Sequence, residues 1–148
     1  HLLIARGVLP DDRLGRVTAD EPMRLTGVLE LLRMPTHAPS LVVAAIAHAE
    51  VALLAAPGIG QGVLARAVEH MVLIHAGIDP RAVLLLAGGH AAMREDHAQW
   101  LGAYATGSVT GVRQWILYCA QVVTQGAELS PLARGHQVAE GTVEPEAL

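Results

Sequence analysis

Apolar positions recur at helical spacing through most of this chain. Leu25, Val28, Leu29 and Leu32 repeat every three or four residues, the interval that lines one side of a helix. Pro22 sits where a first-turn proline belongs, with Asp20 and Glu21 beside the positive end of that helix. The stretch RMPTHAPS then stops it, because its two prolines interrupt backbone hydrogen bonding. A second helix is expected over 40–54, with Val42, Ile46, Ala49 and Leu53 on one face. A proline and three glycines break the pattern in AAPGIGQG. A third helix follows over 63–76, apolar almost all round except for a narrow polar stripe of Arg66, Glu69 and His70. Such a helix belongs in the middle of a domain, and Gly77 is a suitable terminator.

Further along, DPRAVLLLAGGH is compatible with a short strand, an extended segment or a brief helix. Met93, His97, Trp100, Leu101 and Tyr104 mark a fourth helix ending near Gly107. A fifth starts near Ser108 or Thr110 and turns Val112, Trp115, Ile116, Cys119, Val122 and Val123 inward. Residues 1–9 read as the end of a helix and 9–20 as a polar connector. The expectation is one all-α domain over 1–129, followed by a loosely packed tail over 130–148 rich in Pro, Gly and Glu.

Composition narrows the function classes. With 148 residues, 52% hydrophobic and 16% charged, the chain has enough apolar material for a real core. Aromatics are 3% and phenylalanine is absent, so that core is built from Ala, Val, Leu and Ile. A net charge of -4 and singly scattered arginines argue against a nucleic-acid surface, which needs clustered basic residues. One cysteine, Cys119, excludes an intramolecular disulfide and a CxxC metal site, and it reads as an inert core thiol. The first residues show no secretory pattern, and no apolar run reaches the roughly 20 residues of a membrane span. A cytoplasmic protein without membrane or nucleic-acid partners is expected.

Two constellations invite chemistry. His48-Ala49-Glu50 resembles the HxE of zinc deaminases, but that site also needs a PCxxC, which the chain lacks. Residues two apart on a helix lie on nearly opposite faces, so His48 and Glu50 cannot share a metal. His70 and His75, five apart, are also badly placed for joint ligation. No metal site and no catalytic residue is assigned on this basis. The glycine loop is more informative. Gly58, Gly60 and Gly62 tolerate left-handed backbone and precede a helix whose first N–H groups have no intrahelical partner. Such groups cradle anions, and Arg66 can reach back from the first turn. The competing reading is a tight turn that uses glycines only for close packing.

HAEVALLAAPGIGQGVLAR, with LVVAAIA before it and AVEHMVLIHAGIDP after it, resembles the core of the Fic (Fido) family. That family carries HPFx(D/E)GNGRxxR between two such helices, and LGAYATGSVTGVRQWILYCAQVV is similar to its later helices. The resemblance covers most of residues 20–127 and implies a Fic-like helical fold, with a glycine-rich loop leading into a buried central helix. It implies transfer of AMP or a related group from a nucleotide to a hydroxyl, with a histidine base, an acidic Mg²⁺ ligand and a phosphate-cradling loop. Aligned without gaps, the histidine falls on Ala55, its proline on Ala56, the phenylalanine on Pro57 and the acid on Ile59. Gly60, Gly62 and Arg66 match, Gln61 replaces asparagine, and Val63 replaces the first arginine.

Alanine cannot accept a proton and isoleucine cannot bind a cation. Losing a general base alone lowers a rate by about 10²–10⁴, and losing the metal removes charge neutralisation on the phosphates. The family's self-inhibitory motif is not met by HQVAEG, and LPDDRLGRVTAD stands where its target-binding flap lies. The expectation is a catalytically degenerate Fic-type domain. It binds ATP or another nucleotide or phosphate through Gly58, Gly60, Gln61, Gly62 and Arg66. Two alternatives stay open: a protein-interaction domain without ligand, using Leu84, Leu85 and Leu86 in a homodimer or a complex, and an altered transferase with a different base.

Overall fold

The computed structural model describes residues 22–54 and 60–133. The expected N-terminal helix end, the connector at 9–20, Gly58 and the tail beyond residue 133 lie outside them. Among the described residues the helices follow in the order α1 Pro22–Arg33, α2 Ser40–Ala52, α3 Gln61–His75, α4 Leu86–Ala92, α5 Arg94–Ala105 and α6 Val109–Glu128. No strand occurs among the described residues, so the fold there is all-α.

The centre of this arrangement is α2, not α3 as the apolar pattern suggested. Val43, Ala44, Ala45, Ala47, His48, Ala49 and Val51 of α2 are all buried. Alanines on every side of a helix leave room for neighbours on every side, and α1, α3 and α6 all pack on α2. By contrast α3 buries one stripe, Ala65, Glu69 and Leu73. Its other side leaves Val63 47% and Met71 66% exposed. Its apolar residues are larger and partly face water, while Glu69 of its polar stripe is buried and Arg66 and His70 are half-buried.

The second half closes around α6. Ser108 caps that helix by accepting from the Gly111 amide at 3.1 Å, which satisfies one of the unpaired N–H groups of the first turn. Trp115, Tyr118, Cys119 and Val122 form its buried face, and the Trp115 indole donates to the Ala45 carbonyl at 2.7 Å. That bond ties α6 to α2. Two glycines let α4 approach: a Cβ on Gly89 would overlap the Val122 carbonyl, and one on Gly126 would crowd the Leu85 carbonyl.

Residues 79–85 are an irregular turn rather than a strand. The Asp79 carboxylate accepts from the Val83 and Leu84 amides and from His70 Nε2, at 2.9, 3.0 and 2.8 Å. Burial raises this carboxyl, but the three hydrogen bonds outweigh it and hold Asp79 below its ordinary value. Leu86 is 2% exposed and belongs to the core, so it is not available to a partner. Of the expected leucine surface, Leu85 is exposed and Leu84 half-buried.

Candidate functional site

The α3 helix carries two polar places about two turns apart. The first is its N-terminus. Gly60 is the N-cap residue at φ 98°, left-handed backbone that strongly favours glycine, and no side chain caps the helix. Gln61 reaches back so that its amide Nε2 donates to the Val51 carbonyl at 3.1 Å, fixing the start of α3 against the end of α2. Its side-chain amide is therefore occupied. Gly62 is exposed, and a Cβ there would lie 3.4 Å from Arg66 Nη1. The guanidinium is thus folded back along the first turn. Arg66 is half-buried and has no hydrogen-bond or ion-pair partner among the described residues.

The second place was not read from the sequence. Glu69, His48 and His90 come from three different helices and are all buried. A single oxygen, Glu69 Oε2, accepts from His48 Nδ1 at 2.6 Å and from His90 Nε2 at 2.7 Å. The other oxygen, Oε1, and His90 Nδ1 have no partner among the described residues. His97 stands behind His48, with the two Nε2 atoms 3.3 Å apart. Trp115 and Tyr118 wall the group: the Trp115 ring lies edge-on to His48 and His97, at centroid distances of 5.2 and 5.5 Å, and Tyr118 flanks His90 and His97.

The protonation pattern follows from these contacts. Burial pushes the Glu69 carboxyl upward, but hydrogen bonds from His48 and His90 reverse this and keep it below its ordinary value. Burial lowers His48, with only partial opposition from Glu69. Burial and the neighbouring imidazoles push His97 down to about 4. At neutral pH the group therefore holds one carboxylate, with His48 and His97 uncharged. His48 donates from Nδ1, so its Nε2 carries a lone pair toward His97. The Arg66 charge also lowers His48 and His97, so it is felt within the cluster.

His48 and Glu50 point apart. Glu50 pairs with Arg24 at 2.6 Å and accepts from the Tyr104 hydroxyl at 2.7 Å, joining α1, α2 and α5. His70 is held by Asp79, while His75 is exposed. Burial raises Cys119 well above the ordinary thiol range, so it is no nucleophile. A separate groove of about 680 Å³ runs between α1, α2 and α3, lined by Leu31, Met34, Val43, Val68 and Met71 among others. Neither Arg66 nor any member of the histidine cluster lines it. No helix among the described residues is long and apolar enough to cross a membrane. In comparisons with known proteins, no family model, curated protein or solved structure matches the chain.

The cluster had one sequence signal. Glu69 stands four residues from Ala65 and four from Leu73, so it shares their stripe. A carboxylate on a buried stripe requires partners, and histidines are numerous in this chain. Which histidines would meet it depends on how α2 and α4 pack, and local spacing carries no such information.

Proposed function

We propose that this chain is a Fic-like helical domain that binds a phosphate-bearing ligand, a nucleotide in the first instance, without transferring it. The ligand sits at the N-terminus of α3, with the Gly60, Gln61 and Gly62 amides as donors and Arg66 as the charged contact. The supporting observation is the Arg66 guanidinium, folded along the first turn beside Gly62 with no partner among the described residues. A half-buried cation at the positive end of a helix is electrostatically unfavourable until an anion joins it. Ala55 and Ile59, at the positions of the family's base and acid, argue for binding without turnover.

Calorimetric titration with ATP, ADP and GTP, with and without Mg²⁺, tests this. Binding that does not require Mg²⁺ and weakens at least tenfold in Arg66→Ala is the expected result. Absence of heat with every nucleotide in folded protein would overturn it. A second reading, a protein-interaction domain, is favoured by the groove between α1 and α3, where Leu32, Met34 and Met71 are 43%, 66% and 66% exposed. A contiguous apolar rim of this kind suits a docked chain. Concentration-dependent size in sedimentation would support it, and a monomer at all concentrations would count against self-association.

A further inference from the structure

We infer that His48, Glu69 and His90 form a binding site for one divalent first-row transition metal ion, with Zn²⁺ as the reference ion. The three residues offer one donor atom each, and these atoms all lie within 4.8 Å of one another. Two imidazoles and a carboxylate suit the borderline chemistry of such ions. The present contacts of 2.6 and 2.7 Å are hydrogen bonds. Donors about 2.0–2.2 Å from a tetrahedral ion stand roughly 3.3–3.6 Å apart, so to take up a metal each of the two imidazole nitrogens must draw back from Glu69 Oε2 by less than about 1 Å, while His48 Nδ1 and His90 Nε2, already within 4.8 Å of each other, settle at the same spacing.

One orphaned atom points the same way. Glu69 Oε1 is buried with no partner among the described residues, and a bidentate carboxylate would give it one. At His48 the change needs no net release of a proton. The His48 proton moves from Nδ1 to Nε2 and is donated in a hydrogen bond to His97 Nε2, 3.3 Å away, with the neutral His97 carrying its own proton on Nδ1. Ligation by His90 through Nε2 requires that nitrogen to be free of its proton. His97 then orients a ligating histidine, as outer partners of metal-bound imidazoles commonly do. It is also the less buried end of the group, and so marks the side from which an ion enters. Glu69 supplies one negative charge, and Arg66 is the nearby positive charge that opposes the ion.

The test uses the full chain stripped with EDTA, then titrated with Zn²⁺ by calorimetry and with Co²⁺ by visible absorption. One ion per chain and the intense bands of low-coordinate Co²⁺ are expected. Glu69→Gln and His90→Ala should each weaken binding at least about 100-fold, while His75→Ala, at an exposed histidine, should not. A Co²⁺ spectrum unchanged from the aqueous ion overturns the inference, as does wild-type affinity in the cluster variants. If those variants do not fold, ring-nitrogen NMR of wild-type protein decides. Zn²⁺-dependent shifts of buried histidines support the site, and shifts confined to exposed histidines contradict it.

Discussion

Arg66 and Glu69 lie less than a turn apart on one helix, and their surroundings are opposite. Arg66 is a cation with no partner among the described residues, at a half-open helix end. Glu69 is an anion sealed in the core with two imidazoles on one oxygen. The contrast teaches that a charge's place in the fold decides its role more than its place in the sequence does. The sealed middle holds three helices together.

The largest expected effect falls on the sealed side. Glu69→Ala leaves His48 and His90 buried with unpaired N–H groups, and should lower unfolding free energy by about 3–5 kcal/mol. Urea denaturation reads this directly, and a loss below about 1 kcal/mol would show that the cluster is not structural. Gly89→Ala comes next. Its new methyl would overlap the Val122 carbonyl, a backbone atom that cannot step aside, so a loss of about 1–3 kcal/mol is expected. A neutral Gly89→Ala would mean that α4 packs less closely on α6 than described.

Acid sharpens the comparison. Glu69 and Asp79 are held below their ordinary values, so the unfolded chain takes up their protons first and stability is lost as pH falls through the carboxylate range. His48 is lowered and His97 lies at about 4, against an ordinary value near 6.5. The unfolded chain therefore binds these protons more tightly too, and stability declines from about pH 6.5 downward. Each group contributes at most about 1.4 kcal/mol per pH unit while it titrates. Urea midpoints between pH 7 and pH 4 should fall steadily, and His97→Gln should flatten the upper part of that fall.

The smallest effects belong to the open end. Arg66→Ala should change stability by no more than about 0.5 kcal/mol while removing the charged contact for an anion. Gly62→Ala meets only the flexible end of Arg66 and should be neutral or slightly stabilising, by up to about 1 kcal/mol. Thermal unfolding of both variants checks this. A large loss in either would make the N-terminus of α3 a structural device rather than a binding one.

Much of the fold was legible because its cause is local. Pro22 at the first turn, the two prolines of RMPTHAPS, the Ser108 cap and the inward face of Trp115, Cys119 and Val122 all stand where spacing placed them. What local pattern could not convey was which helix lies deepest. A run such as LVVAAIAHA reads as one apolar face, yet its alanines are small enough to be surrounded. The site divides the same way. Gly60, Gln61, Gly62 and Arg66 are neighbours in sequence and remain together in the fold. His48, Glu69 and His90 stand 21 residues apart at each step, and only the packing of α2, α3 and α4 unites them.

The most direct test of ligand binding at the open end is a titration of isotope-labelled protein with ATP, followed through backbone amide resonances. The account predicts saturable shifts of the Gly60, Gln61 and Gly62 amides, lost in Arg66→Ala, with little change at the amides of Glu69 and His90. Unmoved amides at the start of α3, with nucleotide in large excess, would contradict it.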